Sequence, residues 1–268
     1  MTDVVAPGPD SVFPLSAPPH CIAAPTTLVS EHFLSHLCHA LRTPLTAVLG
    51  YLDLVQGEGE EQPATIRREY LRRAQASSAS LISLLDAVAE LSQLQHHGLA
   101  LDPCPTCVPT LLKGLLDGLR IREEYQHVRI SLAPVSDEVT LLTDKACLSR
   151  ALTHLMSNAC RYTPQGGCVR LSAYAQGDQV LISVEDSGLG IPEDEWPLVS
   201  TPFYRGSNAR SVSPAGVGLG LAIARRLLEL LGGELTFCSE AGKGSIFTVH
   251  LPSSPHTLPR PASEDPGR

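Results

Sequence analysis

Phe33-Leu34-Ser35-His36-Leu37-Cys38-His39-Ala40-Leu41-Arg42-Thr43-Pro44-Leu45 is the stretch that decides how this chain folds. Its leucines belong to a longer series, Leu34, Leu37, Leu41, Leu45, Val48, Leu52 and Val55, spaced three and four apart. That spacing is the apolar stripe of a helix in a coiled-coil-like bundle, and it predicts a helix over residues 30–56. His39 stands two positions from both Leu37 and Leu41, which turns its imidazole away from the stripe and towards solvent. Pro44 removes a backbone hydrogen bond about one turn later and is expected to bend the helix there.

The run from Gly57 to Pro63 breaks this helix, and a second stripe follows through Ile66, Leu71, Ala74, Leu81, Leu85, Val88 and Leu91. Two long helices joined by a short turn form an antiparallel hairpin. Alone, the hairpin leaves an apolar seam without a partner, so two copies are expected to pair as a four-helix bundle, a homodimer.

The chain has 268 residues with 43% apolar content, enough to bury a proper core. A net charge of −8 argues against nucleic acid as the main partner, because phosphate-backbone binding needs a clustered basic surface. The eight cysteines are scattered apart from Cys104-x-x-Cys107, which lies among Pro103, Pro105 and Pro109. That pair is read as free thiols in a loop, with a metal site or a disulfide as the alternatives. With no long uncharged apolar run and no leader-like start, the chain is read as soluble and cytoplasmic, without a membrane span. Residues 1–27 and 253–268 are rich in Pro, Ala and Ser and are expected to lack order.

The expected organisation is a helical hairpin over 28–97, a Pro-rich linker over 98–109 and a second domain over 110–252. In that domain the pattern predicts helices near 110–123, 145–162 and 219–231. Strands are predicted near 129–132, 169–175, 179–186, 234–238 and 245–251. Helices mixed with a largely antiparallel sheet make an α+β fold.

Three features of the second domain suit a phosphate-bearing ligand. Asp186-Ser187-Gly188-Leu189-Gly190 follows a strand, where glycines allow a tight turn and a carboxylate can accept from an exocyclic amine such as that of adenine. Gly216-Val217-Gly218-Leu219-Gly220-Leu221 leads into a helix, whose free N–H groups favour phosphate oxygens. Asn158, on the preceding helix, can offer an oxygen to Mg²⁺ beside the phosphates. A single Gly-x-Gly is often only a turn; three such features in series are more specific. Between them, residues 196–215 carry Pro197, Pro202, Pro214, Arg205 and Arg210 and read as a lid over the nucleotide.

A lone exposed histidine is usually no more than a solvated side chain, yet a neutral ring nitrogen is also a competent nucleophile towards phosphorus. His32, His36 and His39 share one helical face at a spacing that can chelate a metal, but no carboxylate accompanies them, and a polar face explains His32 and His36 more simply.

Taken in order, these residues resemble the sensor histidine kinases of bacterial two-component systems. The stretch from Phe33 to Leu45 is similar to the family's phosphoacceptor helix, and Leu155-Met-Ser-Asn-Ala-Cys-Arg-Tyr-Thr-Pro164 to its asparagine motif. The two glycine motifs, with Phe203-Tyr204-Arg205, resemble the rest of its ATP-binding domain, so the likeness runs from about Ser30 to Pro252. The resemblance implies an α/β sandwich that binds ATP and Mg²⁺, autophosphorylation of His39, and transfer to an aspartate on a response-regulator receiver domain. By the same resemblance Arg42 and Thr43 join His39 in the reaction, Thr43 at a position that in relatives orients a water for dephosphorylating the regulator. Asn158 would hold Mg²⁺, Arg161 would approach phosphate, Tyr162 would cover the adenine and Asp186 would bind its amine. Gly188, Gly190, Arg205, Gly216, Gly218, Leu219, Gly220, Leu221 and Ser245 would complete the nucleotide site. With no sensor domain in the sequence, input is expected from an upstream sensor protein or the N-terminal segment.

Two positions depart from the family pattern. Ala40 stands where an acidic residue usually serves as base, and His154 where the asparagine motif usually begins with Asn. A positioned base is worth about 10²–10⁴-fold in rate, so the kinase is expected either to be slow or to take its base from elsewhere, for instance from His36 one turn away. The alternative is a weakly catalytic dimeric scaffold or a regulator phosphatase. An ATPase phosphorylating Ser or Thr would leave His39 without a role.

Overall fold

The computed structural model describes residues 20–21, 31–56, 63–96, 100–136, 139–209 and 216–253. The chain divides into two units. One comprises Met1–Ile22, Ala100–Pro192 and Ala224–Arg268; the other comprises Ala23–Leu99 and Glu193–Ile223.

In the second unit the two stripes form helices α1 (Glu31–Gln56) and α2 (Ala64–His96), packed along their length. Pro44 lies within α1. Near the turn the Tyr51 and Tyr70 rings stack at 6.2 Å and 25°, and the Arg73 guanidinium lies 6.0 Å above Tyr51. Glu69 holds Arg72 and Arg73, each at 2.7 Å.

The residues sealed in the hairpin differ from the expected stripe. Ala74, Leu84, Leu91 and Leu94 are buried, whereas Ile66, Leu71 and Leu85 face outward. On α1, Leu45, Leu49 and Leu52 are also exposed. A helix in a four-helix bundle needs two apolar seams, one for its hairpin partner and one for the second pair. Periodicity alone merged them, and the single chain fills only the first.

The first unit is built on a six-stranded sheet. In chain order its strands are β1 (His20–Cys21), β3 (Arg129–Leu132), β5 (Cys168–Gln176), β6 (Gln179–Asp186), β7 (Glu234–Glu240) and β8 (Gly244–Pro252). They lie in the order β1-β7-β8-β6-β5-β3, antiparallel except for the parallel pair β3 and β5. Helix α3 (Val108–Arg120) packs on β3 and β5, and α4 (Lys145–Tyr162) on β5 and β6. Buried residues recur on α4 at Leu148, Leu152, Leu155 and Met156, and on β5 at Val169 and Leu171, the helix and strand periods respectively. Helix α5 (Gly220–Leu230) contributes Ala224, Leu227 and Leu228 to this core.

The segment read as a linker loop contains strand β2 (Cys104–Cys107), paired antiparallel with β4 (Thr140–Thr143). Residues three apart on a strand are about 10 Å apart along the chain, beyond the roughly 7 Å that a disulfide spans. Cys104 and Cys107 are free thiols, as are the other six cysteines. His20 and Cys21 form a strand inside the segment expected to lack order; its other residues, and those after Ser253, lie outside the described residues. No helix among the described residues is long and apolar enough to cross a membrane.

One carboxylate ties the start of this unit together. Asp144 Oδ1 caps α4 by accepting from the Cys147 N–H at 2.8 Å, while Oδ2 accepts from the Asp102 N–H at 2.9 Å. Burial works against ionisation, but these N–H groups and that of Ala146 hold its pKa below the usual value. A depressed pKa stabilises the fold above the unfolded value, and that gain disappears as pH falls through the folded one. Asp144→Ala is therefore expected to lose about 1–2 kcal/mol at pH 7 in denaturant unfolding, with a smaller loss near pH 3.

Candidate active site

His39 lies on α1 with its side chain exposed, as do Arg42 and Thr43. The Thr43 hydroxyl donates to the His39 carbonyl at 3.3 Å, turning it back along the helix. The His32 side chain lies outside the described residues. His36 is exposed and its ring is 6.3 Å from that of Phe203. Phe203 also meets Phe33 at 5.1 Å and 56°, so the segment after Glu193 packs on the start of α1 within this unit.

That segment is shaped by a close crossing. The Phe203 N–H donates to the Gly218 carbonyl at 2.9 Å, and a Cβ on Gly218 would sit 2.5 Å from the Tyr204 oxygen. Gly218 also has φ +76°, so glycine is required there on two counts. Gly216 and Leu219 are buried. The Leu219 carbonyl accepts from Ile223 N–H at 3.0 Å, so α5 starts one residue after the expected Leu219, leaving Gly220 and Leu221 in its first turn. Glu195 is buried, and its Oε1 accepts from the Ser207 N–H at 3.0 Å and hydroxyl at 2.6 Å. Arg205 is half-buried, with a 3.5 Å bond from its Nη2 to the Ala209 carbonyl. Arg210 and Pro214 lie outside the described residues.

In the sheet unit Asn158, Arg161 and Tyr162 are half-buried on the last two turns of α4. The Tyr162 carbonyl accepts from the Leu189 N–H at 3.2 Å, which fixes the turn after β6 against the helix end. Asp186 is buried at the end of β6 and accepts from the Gly188 N–H at 2.8 Å and from the Ser245 N–H. Burial pushes its pKa up to about 7 despite those two donors, with the nearby Glu185 adding to the rise.

The turn Gly188–Gly190 is clamped on both sides. A Cβ on Gly188 would lie 2.6 Å from the Tyr162 oxygen, and one on Gly190, where φ is +61°, would lie 1.9 Å from the Glu240 oxygen. A Cβ on Gly244 would likewise lie 1.9 Å from the Asp186 oxygen. Only glycines let the β7–β8 turn approach the backbone of Asp186 and of the turn after it this closely.

Sequence reasoning missed Ser239. It is buried on β7 opposite Ser245, accepts from the Ile191 N–H at 2.8 Å and bonds the Gly244 carbonyl and the Ser245 hydroxyl at 3.0 and 2.9 Å. Asp186, Ser245 and Ser239 thus form a polar row across three adjacent strands. The available signal was a serine next to the apolar residues Phe237 and Cys238 in a strand.

These residues fit Mg²⁺ and ATP. A buried carboxylate near its pKa at neutral pH suits an amine donor, and a glycine segment leading into a helix suits phosphate. No group of three or more His, Cys, Asp or Glu among the described residues can hold a metal alone, and Mg²⁺ bound chiefly through nucleotide phosphates needs no such cage.

The family described as the His Kinase A (phospho-acceptor) domain matches residues 30–97. The family described as the histidine kinase-, DNA gyrase B- and HSP90-like ATPases matches residues 143–255. The aerobic respiration control sensor protein ArcB of Escherichia coli (strain K12) is 31% identical over 225 residues, covering 82% of this chain and 28% of the relative. The phosphate regulon sensor protein PhoR of Pseudomonas aeruginosa is 32% identical over 222 residues, covering 82% of this chain and 49% of the relative. Among solved structures, full-length ShkA in complex with AMPPNP is 29% identical with a TM-score of 0.60, covering 86% of this chain and 48% of that one. Histidine kinase ThkA in complex with response regulator TrrA shares the fold at a TM-score of 0.70, with 18% identity over 85% of this chain and 63% of that one. The chain spans between about a quarter and a half of the length of the curated relatives it matches. With both domain families in the expected order and the exposed histidine on the first helix, the chain belongs to the sensor histidine kinases.

Proposed function

We propose that this chain binds Mg-ATP, phosphorylates His39 and passes the phosphoryl group to a response-regulator aspartate. The observation that carries the reading is an exposed imidazole on a helical hairpin, in a chain whose second domain presents a buried, glycine-clamped carboxylate at a sheet end. A neutral ring nitrogen of His39 attacks the γ-phosphorus; the P–N bond forms as the bond to the ADP oxygen breaks, and the ring then gives up its proton. Asp186 accepts from the adenine amine, Tyr162 covers the base, and Arg161 and Arg205 offer charge to the phosphates. Gly188, Gly190 and Ser245 shape the purine end, and Gly216, Gly218, Leu219, Gly220 and Leu221 present backbone N–H groups to the phosphates. Asn158 would hold Mg²⁺ together with the nucleotide, and the ion would supply neutralisation of phosphate charge. The exposed leucines of both helices form the interface of a homodimeric four-helix bundle, and we place the protein in the cytoplasm with an upstream protein as its source of signal.

Incubation with γ-labelled ATP and Mg²⁺ tests this reading. Acid-labile label is expected on the wild type and none on His39→Gln, with ATP binding unchanged. Acid-stable label, or ATP binding without any label, would favour a Ser/Thr kinase or a scaffold respectively. Because Ala40 supplies no base, Ala40→Glu is expected to raise the initial labelling rate by about 10²-fold, read under single-turnover conditions.

Asp186→Asn is expected to weaken ATP binding at least about tenfold in calorimetry and to leave the oligomeric state unchanged. It also carries a pH signature. The folded domain keeps the Asp186 proton up to about pH 7, whereas the ordinary carboxylate value of 3.8 applies when it is unfolded. Between these values the native state binds more protons, so stability falls as pH rises through the window. The nucleotide-free variant should therefore melt above the wild type at pH 8, and the two should converge towards pH 4.

A further inference from the structure

Without β1, β7 would be the rim of the remaining five-stranded sheet. Residues 235–239 of β7 are all buried, and its outer side sets a row of backbone N–H and C=O groups, the surface an extended chain pairs with. His20 and Cys21 occupy that side, antiparallel, with His20 opposite Phe237 and Cys21 opposite Thr236. Side chains hold the register as well. The His20 ring lies 6.2 Å from that of Phe237, and the Cys21 thiol donates to Glu234 Oε1. The bond to Glu234, with burial and the carboxylate's charge, pushes the thiol up to about 11, so it remains a donor at neutral pH.

We propose that the outer edge of β7 is a docking surface for an extended segment, and that its occupant is the chain's own His20–Cys21 stretch, which clasps the ATP-binding domain and restrains autophosphorylation. The restraint rests on the kinase reading above; the docking does not. Connectivity explains the restraint. Residues 22–30, nine in all, separate Cys21 from α1 and can span at most about 30 Å. Residues 97–103, seven in all, separate α2 from β2. The start of α1 and the end of α2 lie at the same end of an antiparallel hairpin. With β1 paired, the domain carries two short tethers to that end; with β1 released it carries one and reaches more orientations around His39. A two-residue ladder is a short contact, so a pull on the segment before α1 suffices to open it.

The test is a reversible lock in the full chain. Directly opposed residues of an antiparallel pair have Cα atoms about 4.5–5.5 Å apart, within disulfide range, so Thr236→Cys should crosslink to Cys21 on oxidation. Peptide mapping should find that crosslink, and Cys21→Ser in the same background should remove it. The initial rate of labelling from γ-labelled ATP should then fall by about tenfold or more on oxidation and recover with dithiothreitol, at unchanged ATP affinity. Failure of the crosslink to form would overturn the docking. An equal or faster rate in the crosslinked protein would overturn the restraint. A reduced protein that takes up no label would count against the kinase reading, and the crosslink alone would then decide the docking.

Discussion

The Asp186 carboxylate is the constraint around which the sheet domain is organised. Ionised, it is an acceptor held in the interior by two backbone N–H groups, and its raised pKa measures how incompletely they offset its burial. Everything that touches it is built to keep it there. Gly188 and Gly244 let backbone approach from two sides, Gly190 turns the chain away under the Glu240 carbonyl, and Ser245 and Ser239 extend the polar row across the sheet. A bound group that donates a hydrogen bond would relieve this cost, so the unfavourable burial is the counterpart of the selective binding proposed.

The hairpin follows the opposite logic. Its proposed chemistry depends on a side chain left outside, and its apolar surface is incomplete in a single chain. His39 is exposed because the leucine series on α1 turns its own face elsewhere, and the exposed leucines mark where a second copy is proposed to sit. Ala40 supplies no carboxylate beside the histidine, so in the proposed reaction the imidazole loses its proton to another group, and His36, one turn away with its ring 6.3 Å from that of Phe203, is the one proposed.

Much of this was legible because strong local signals agreed with the tertiary structure. The bounds of α4 and β6 were readable from a helix period and from an apolar run that ends on Asp186-Ser187-Gly188. What could not be read depended on pairing with distant residues. Cys104-Pro-Thr-Cys107 has a proline and only four residues, and it is a strand because Thr140–Thr143 lies beside it. His20–Cys21 is extended because β7 offers an edge. The role of Ser239 appears only when β7, β8 and the turn after β6 are brought together. On α2 the stripe was visible, but which residues face α1 and which face outward depends on packing against two different partners.

The claim that Asp186 is held for an exocyclic amine is tested most directly by comparing ATP with inosine triphosphate, which carries an oxygen in place of that amine, by calorimetry on the wild-type chain. The account predicts that ATP binds tighter by about 10²-fold or more, since the oxygen would face a carboxylate instead of donating to it. Equal affinity for the two nucleotides would contradict it.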